Sequence, residues 1–445
     1  MKRHSDVAMM RSPRKMGRLV AGLVACPLAL VGMSSVAHAS SSVTKINMWE
    51  GDTGPAATAL KAQVAGYNAS AYGKTCHAGT TFIAATGHEF TPKLLTALSS
   101  GSGPNLVLSY SEPQDMAEVA ATGHLITLNS YMSKDGRPVS YFYPAMMKAS
   151  TFGGKVYSFP TDGGDYAILY NKKIFKEAGI AGTPTTWAQV AADSAKIASS
   201  VKGVYGFYVP FGVNEWTVWT FESMLWSEGG HFLNANNTKA QFGSAAGVAG
   251  LNVWVNLLKK HLAYPSSLSN SAQNAGYPGF QDGKVAMYID GSYDLGIDDK
   301  ALGAGNVGVF QFPKTKQFAM NTGTNQSFML KGTPAQETCE WDYLKYMTEP
   351  SVQANWDVAT GFIPTVKAVA QTPTYKAFVA KDPRLKVFVQ ELNYAHTRPS
   401  IQNYAQISAE LGTQIEAALM QQKSAQAALS AAQAQANQIL ASSAG

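Results

Sequence analysis

The sequence predicts an α/β protein whose chain builds two discontinuous lobes and crosses between them three times. Short apolar runs alternate with stretches of helical spacing, the pattern of sheets covered by helices. Glycine- and proline-punctuated passages mark three places where the chain changes direction, and no long linker separates the halves. At 445 residues, 46% of them hydrophobic and 14% charged, the chain has the length for two or three domain-sized units and enough apolar surface to offset chain entropy.

Residues 1–39 read as an address. Basic residues run to Arg18, an apolar stretch follows from Leu19, and Ala37-His38-Ala39 has the small-x-small pattern of a signal-peptidase site. Leu23-Val24-Ala25-Cys26 also fits a lipoprotein box, but the apolar run continues through Pro27-Leu28-Ala29-Leu30-Val31. Cleavage near Ala39 is therefore expected, with lipid anchoring at Cys26 as the alternative. Either way the protein is exported, to the periplasm or the outer face of the cytoplasmic membrane. The net charge of +6 also resides here: six of the 35 basic residues but one of the 29 acidic residues precede Ser40, leaving 29 and 28 in the body. A nearly neutral body gives no footprint for nucleic acid.

The body opens with the alternating strand Lys45-Ile46-Asn47-Met48-Trp49 and the turn cluster Glu50-Gly51-Asp52-Thr53-Gly54-Pro55. A helix is expected over 56–67 and a buried strand at Leu106-Val107-Leu108. Extended segments on either side of Thr161-Asp162-Gly163-Gly164-Asp165 make this stretch the first crossing, because paired glycines allow a change of direction. Helices follow from Trp187 and over 242–258. The other crossings are expected near Gly303–Phe312 and Thr348-Glu349-Pro350. The expected lobes are thus 40–160 with 309–348 and 161–308 with 349–445. The Ala- and Gln-rich tail repeats Ile415, Leu419, Ala425, Leu429, Ala432, Ala436 and Ile439 at helical spacing, which predicts a helical hairpin. Cys76 and Cys339 lie outside any C-x-x-C pair. Export permits a disulfide between them, and two separate thiols fit the sequence equally.

Catalytic signatures are missing. Gly303-Ala304-Gly305-Asn306-Val307-Gly308 spells G-x-G-x-x-G, but a nucleotide site needs a strand before it and a helix after it, and here a strand follows. The histidines show no metal-ligand spacing, and no cofactor or metal is implied. Asp162 and Asp165 could be an acid–base pair, yet an extended segment leaves their carboxyl separation open. A hydrogen-bonding or turn role accounts for them as well.

Gly154-Lys155-Val156-Tyr157 with Phe159-Pro160, Leu169-Tyr170-Asn171-Lys172-Lys173-Ile174-Phe175 and Pro184-Thr185-Thr186-Trp187 form an ordered set. Gly101-Ser102-Gly103-Pro104 precedes it. Phe280-Gln281-Asp282-Gly283-Lys284-Val285-Ala286-Met287 with Gly291-Ser292-Tyr293, and Gly361-Phe362-Ile363-Pro364, follow it. Together these blocks resemble the bacterial extracellular solute-binding proteins of the maltose-binding type, the receptors of ABC importers. Asn105 and Tyr293 stand where the family usually has Asp and Trp. The resemblance implies a periplasmic-binding-protein-like fold, two lobes closing on a solute, a monomeric receptor, an ABC permease as partner and no catalysis.

A pyranose presents an apolar C–H face and a rim of hydroxyls, which aromatic rings cover and carboxylates, amides and arginine bind. The candidates are Trp49 and Asp52 after the first strand, Tyr110 and Glu112 after the second, and Asp162 and Asp165 at the crossing. Trp216, Trp219, Tyr293, Asn325, Arg398 and Tyr404 complete the set. For Glu112, Trp219, Tyr293, Arg398 and Tyr404 the role comes from the resemblance. Trp187, Trp254 and Trp341 sit within helical patterns and are assigned to core. The expected solute is a mono- or oligosaccharide. Glycerol 3-phosphate or another phosphorylated polyol is the alternative, suggested by Arg398. An oligosaccharide-acting enzyme using Asp162 or Asp165 with Glu112 is the third reading.

Overall fold

A computed structural model describes residues 43–84, 90–111, 115–213, 215–264, 272–303 and 305–442. The expected export segment, Cys26 and Glu112 lie outside the described residues. Among those described, no helix is long and apolar enough to cross a membrane.

Thirteen strands are described: β1 (Thr44–Glu50), β2 (Cys76–Phe82), β3 (Leu106–Tyr110), β4 (Thr151–Phe152), β5 (Lys155–Val156), β6 (Phe159–Gly164), β7 (Tyr166–Asn171), β8 (Tyr205–Phe207), β9 (Val285–Gly291), β10 (Val307–Phe310), β11 (Met320–Asn321), β12 (Gly323–Met329) and β13 (Ala395–His396). They form two principal sheets. The first runs β2-β1-β3-β12-β6, and the second β10-β7-β9-β8. In the first, β1 is parallel to β2 and β3, whereas β12 is antiparallel to both β3 and β6. In the second, β7 is antiparallel to β10 and β9, and β8 is parallel to β9.

Each sheet has its own apolar core. Ile46, Met48, Leu106, Leu108, Met329, Trp341 and Trp356 pack in the first. Ile168, Trp187, Phe207, Trp254 and Ile289 pack in the second. Local chemistry fixes the covering helices. Thr186 and Gln189 form a reciprocal capping box on the helix Trp187–Ser200, and the Ser244 side chain caps the helix Ala245–Lys259. Two tail helices, Tyr404–Leu419 and Ala425–Ser442, bury Ile415, Leu419, Leu429, Ala432 and Ala436 on the second core. The G-x-G-x-x-G stretch follows the helix Leu295–Leu302 and leads into β10, the reverse of a nucleotide-binding order.

The first crossing falls at the last residue of the expected stretch 161–165, and the other two fall later in the chain than the sequence pattern suggested. Residues 161–164 stay in β6 and pair with β12, so the first crossing is at Asp165 rather than after Pro160. β10 remains in the second sheet through Phe310, which moves the second crossing beyond residue 308. At the third, Pro350 is the first residue of the helix Pro350–Thr360, where its missing N–H costs nothing, and it marks no crossing. That helix and the helix Pro373–Lys381 put Ala354, Trp356 and Tyr375 into the first core. The chain changes sides only before the helix Leu385–Glu391, whose Phe388 packs with Ala167 and Leu169.

Cys76 of β2 and Cys339 of the helix Pro334–Met347 form a disulfide across 263 residues of sequence. Both are buried in the first core. Closing so long a loop restricts the unfolded chain. Replacing both cysteines by serine should therefore destabilise the protein by about 2–5 kcal/mol, read as a lower urea midpoint. An unchanged midpoint would contradict this.

Candidate functional site

A cavity of about 440 Å³ lies where two strands of the first sheet face a helix packed on the second core. β6 and β12 supply one wall. Their antiparallel register sets Asn325 opposite Asp162, and Gly323 opposite Gly164. Asn325 donates from Nδ2 to Asp162 Oδ2 at 3.3 Å. The opposite wall is the start of the helix Glu215–Ser227, with Glu215, Trp216 and Trp219. Tyr293 and Phe362 close a third side, their rings 5.5 Å apart.

The aromatic wall is held from behind. Tyr166, the first residue of β7, packs edge-on against Trp219 at 4.8 Å and against Trp216 at 5.6 Å. Its hydroxyl donates to the Trp219 carbonyl at 3.2 Å. The two indoles lie 5.0 Å apart, and the Arg398 guanidinium sits 5.8 Å from the Trp219 ring centre. Trp219 is thus 9% exposed, with one edge at the cavity and its body in the core. Gly323 permits the approach of the strand wall, since a Cβ there would lie 3.3 Å from Trp219 Cζ2. Gly361 is left-handed at φ +79° and ends the helix before Phe362 enters the cavity.

Charge in the cavity is balanced. Arg398 donates from Nη1 to Glu215 Oε1 at 2.8 Å. Burial works against the guanidinium's charge, but Glu215, Tyr404 and Glu222 around it leave its pKa raised. Asp162 differs, because among the described residues it has no ion-pair partner. Burial, and then the charge of Asp52, push its carboxyl up to about 7, against the partial relief from Asn325. Asp52 itself is pushed up to about 6, chiefly by burial.

Six of the candidates chosen from sequence line this one cavity: Asp162, Trp216, Trp219, Tyr293, Asn325 and Arg398. The others do not. Tyr110 is fully buried, hydrogen-bonded to Thr91 and packed against Phe90 and Phe328, because β3 is central in its sheet and apolar on both faces. Trp49 packs on Phe90. Asp52 is a charged neighbour of Asp162 outside the lining. Asp165, one residue past the lining Gly164, is 1% exposed, and among the described residues neither carboxylate oxygen has a hydrogen-bond partner; burial, then Glu391, holds its pKa well above the usual range. Tyr404 is buried behind the cavity, its hydroxyl 3.0 Å from Glu215 Oε1 and 3.3 Å from Glu222 Oε1.

Sequence reasoning passed over Ser111, Glu215, Thr324 and Phe362, which also line the cavity. Glu215 directly precedes Trp216, and Phe362 lies inside the Gly361–Pro364 block, so both were within signalled stretches.

The profile of the bacterial extracellular solute-binding protein family matches residues 67–386. The chain belongs to that family. It is similar to a maltotriose-binding protein of Pyrococcus abyssi, 21% identical over 314 residues that span 69% of this chain and 63% of the relative. An sn-glycerol-3-phosphate-binding periplasmic protein of Yersinia pestis is 24% identical over 302 residues, 62% of this chain and 65% of the relative. Among solved structures, the cyclic α-maltosyl-1,6-maltose binding protein of Arthrobacter globiformis superposes with a TM-score of 0.78 at 26% identity, covering 89% of this chain and 99% of that one. A Mycobacterium tuberculosis protein solved with glycerophosphocholine gives 0.75 at 18% identity, covering 90% and 98%. The fold is the two-lobe fold of maltose-binding-type substrate-binding proteins, and the chain is an extracellular solute-binding protein, a class of receptors and not of enzymes.

The raised Asp162 pKa has a stability consequence. The folded chain keeps a proton on a carboxyl whose exposed value is 3.8, up to about pH 7. Between those values the unfolded chain releases it, so the Asp162 contribution to stability falls as pH rises through this window, and above it the penalty is fully present. Asp162→Asn removes the charge and keeps an acceptor for Asn325. At pH 8 it should raise unfolding free energy, by at most about 4 kcal/mol at 1.36 kcal/mol per pKa unit, and leave stability at pH 4 nearly unchanged. Urea unfolding at the two pH values checks this; a variant less stable at pH 8 would contradict it.

Proposed function

We propose that the protein is an exported, monomeric receptor that holds a carbohydrate in this cavity and delivers it to the membrane subunits of an ABC importer. One observation carries the reading. Trp216, Trp219, Tyr293 and Phe362 share a cavity with Asp162, Glu215, Asn325 and Arg398. Rings can cover the C–H face of a pyranose, and the carboxylates, amide and guanidinium can bind its hydroxyl rim. The volume of about 440 Å³ falls in the range of small-molecule sites, about 300–1,000 Å³. In this reading the lobes are 43–164 with 323–381 and 166–310 with 385–442. Residues around Asp165, 311–322 and 382–384 form the hinge on which they close.

Arg398 favours a second reading, a glycerol-phosphate receptor, and relatives with that named ligand exist. The Glu215 partner 2.8 Å away argues for the neutral solute, since it already balances the guanidinium. Titration calorimetry against maltose, maltotriose and glycerol 3-phosphate separates the two. A saccharide should bind without any product on prolonged incubation, and Trp219→Ala should weaken it at least about tenfold, equivalent to about 1.4 kcal/mol. Unchanged affinity would remove Trp219 from the site. Binding of glycerol 3-phosphate alone, weakening with salt, would favour the second reading.

A further inference from the structure

On the far side of Arg398 lies a second concavity of about 530 Å³. One flank comes from Lys148 and the β4–β5 turn, with Thr151, Gly153 and Gly154. The other comes from the segments carrying Trp226, His231, His396 and Thr397. Four of its lining residues are basic, namely Lys148, His231, His396 and Arg398, and among the described residues no carboxylate lines it. Glu228 pairs with Lys316 at 2.9 Å outside the lining, whereas Glu215 balances Arg398 at 2.8 Å, so the positive groups left unbalanced are Lys148 and, when protonated, the two histidines.

The wall is ordered. The His396 ring stacks on Trp226, centroids 4.7 Å apart and planes 20° from parallel. Thr397, 8% exposed, has a hydroxyl with no hydrogen-bond partner among the described residues. Gly229 and Gly230 on one flank, and Gly153 and Gly154 on the other, leave both flanks without bulky side chains there. Basic groups gathered in a crevice with low-dielectric walls concentrate positive potential more than the same groups on a flat surface. Desolvation of the ring stacked on Trp226, then Lys148, then His231, lower the His396 pKa.

We propose that this second concavity is an anion subsite, taking a phosphate or carboxylate group between Lys148, His231, His396 and the Thr397 hydroxyl. It adjoins the solute cavity through Arg398 and rests on that reading only for the origin of the charged group. The residues facing His396 from the packed elements are basic or neutral, namely Lys148, His231, Arg398, Gln317 and Asn237. An anion there therefore stabilises the imidazolium, and its affinity rises as pH falls toward the histidine range.

The test uses the mature protein and inorganic phosphate at constant ionic strength, read by the imidazole proton resonances of His231 and His396. Saturable shifts of both are expected, with the apparent pKa of His396 rising on saturation. Lys148→Ala, at an exposed position, should weaken phosphate at least fivefold without lowering the melting temperature. Non-saturating shifts, or an affinity indifferent to Lys148→Ala, would overturn the subsite. Glucose 6-phosphate then separates the two sources of the anion. A group carried on a sugar gives binding at least tenfold tighter than phosphate, lost in both Trp219→Ala and Lys148→Ala. A free anion gives equal affinities, and each result supports the subsite. Saccharide binding with no phosphate binding would remove this subsite and leave the carbohydrate reading intact. Phosphate binding with no saccharide binding would do the reverse.

Discussion

Asn325 and Asp162 face each other across the β12–β6 ladder, and four residues after Asp162 the chain has left that sheet for the other. This pairing constrains everything built around the cavity. Because β6 ends at Gly164 and β7 begins at Tyr166, a single residue separates a strand that carries polar cavity groups from a strand that supports the aromatic wall. The Tyr166 ring then fixes Trp219 and Trp216 from behind, and Gly323 lets the opposite strand approach the indole. A one-residue slip in the β12–β6 register would turn Asn325 to the other face of the sheet.

Around this crossing the protein tolerates buried acids that a purely structural interior would avoid. Asp162, Asp165, Asp357 and Glu391 are each at most 1% exposed. Burial raises the pKa of all four, with further increments from neighbouring acids at Asp162, Asp165 and Asp357. Isolated buried carboxylates take up protons in preference to remaining charged, which limits but does not abolish the cost of holding them. Asp162 differs from the other three in lining the cavity. The Arg398–Glu215 pair is the opposite arrangement, two charges balanced beside a ring, with Tyr404 and Ser408 hydrogen-bonded to the carboxylate. Polar groups held this way are oriented before a solute arrives, so less ordering is needed on binding.

Much of the architecture was legible in the sequence because it follows from local patterns. The strand at Ile46–Trp49, the helix opened by Thr186, and the tail hairpin are set by side-chain period and caps that lie within a few residues. The crossings were less legible, because a glycine pair or a proline reports local backbone freedom and not which sheet the next strand joins. Pro350 shows this, a helix start whose neighbours Ala354 and Trp356 return to the first core. At the site, Trp219 and Tyr293 were reached through the resemblance and Asp162 through its glycine-rich turn. Tyr110 was misplaced because strand position does not reveal that both faces of β3 are covered. The Cys76–Cys339 bond, an open choice in sequence, depends on β2 and the helix Pro334–Met347 packing together, a contact between distant segments.

A crystal structure grown with a saccharide that raises the melting temperature tests the central claim most directly. The account predicts a pyranose ring in van der Waals contact, about 4 Å, with Trp219 or Tyr293, its hydroxyls hydrogen-bonded to Asp162, Asn325 or Arg398. A saccharide bound with these residues untouched would contradict it.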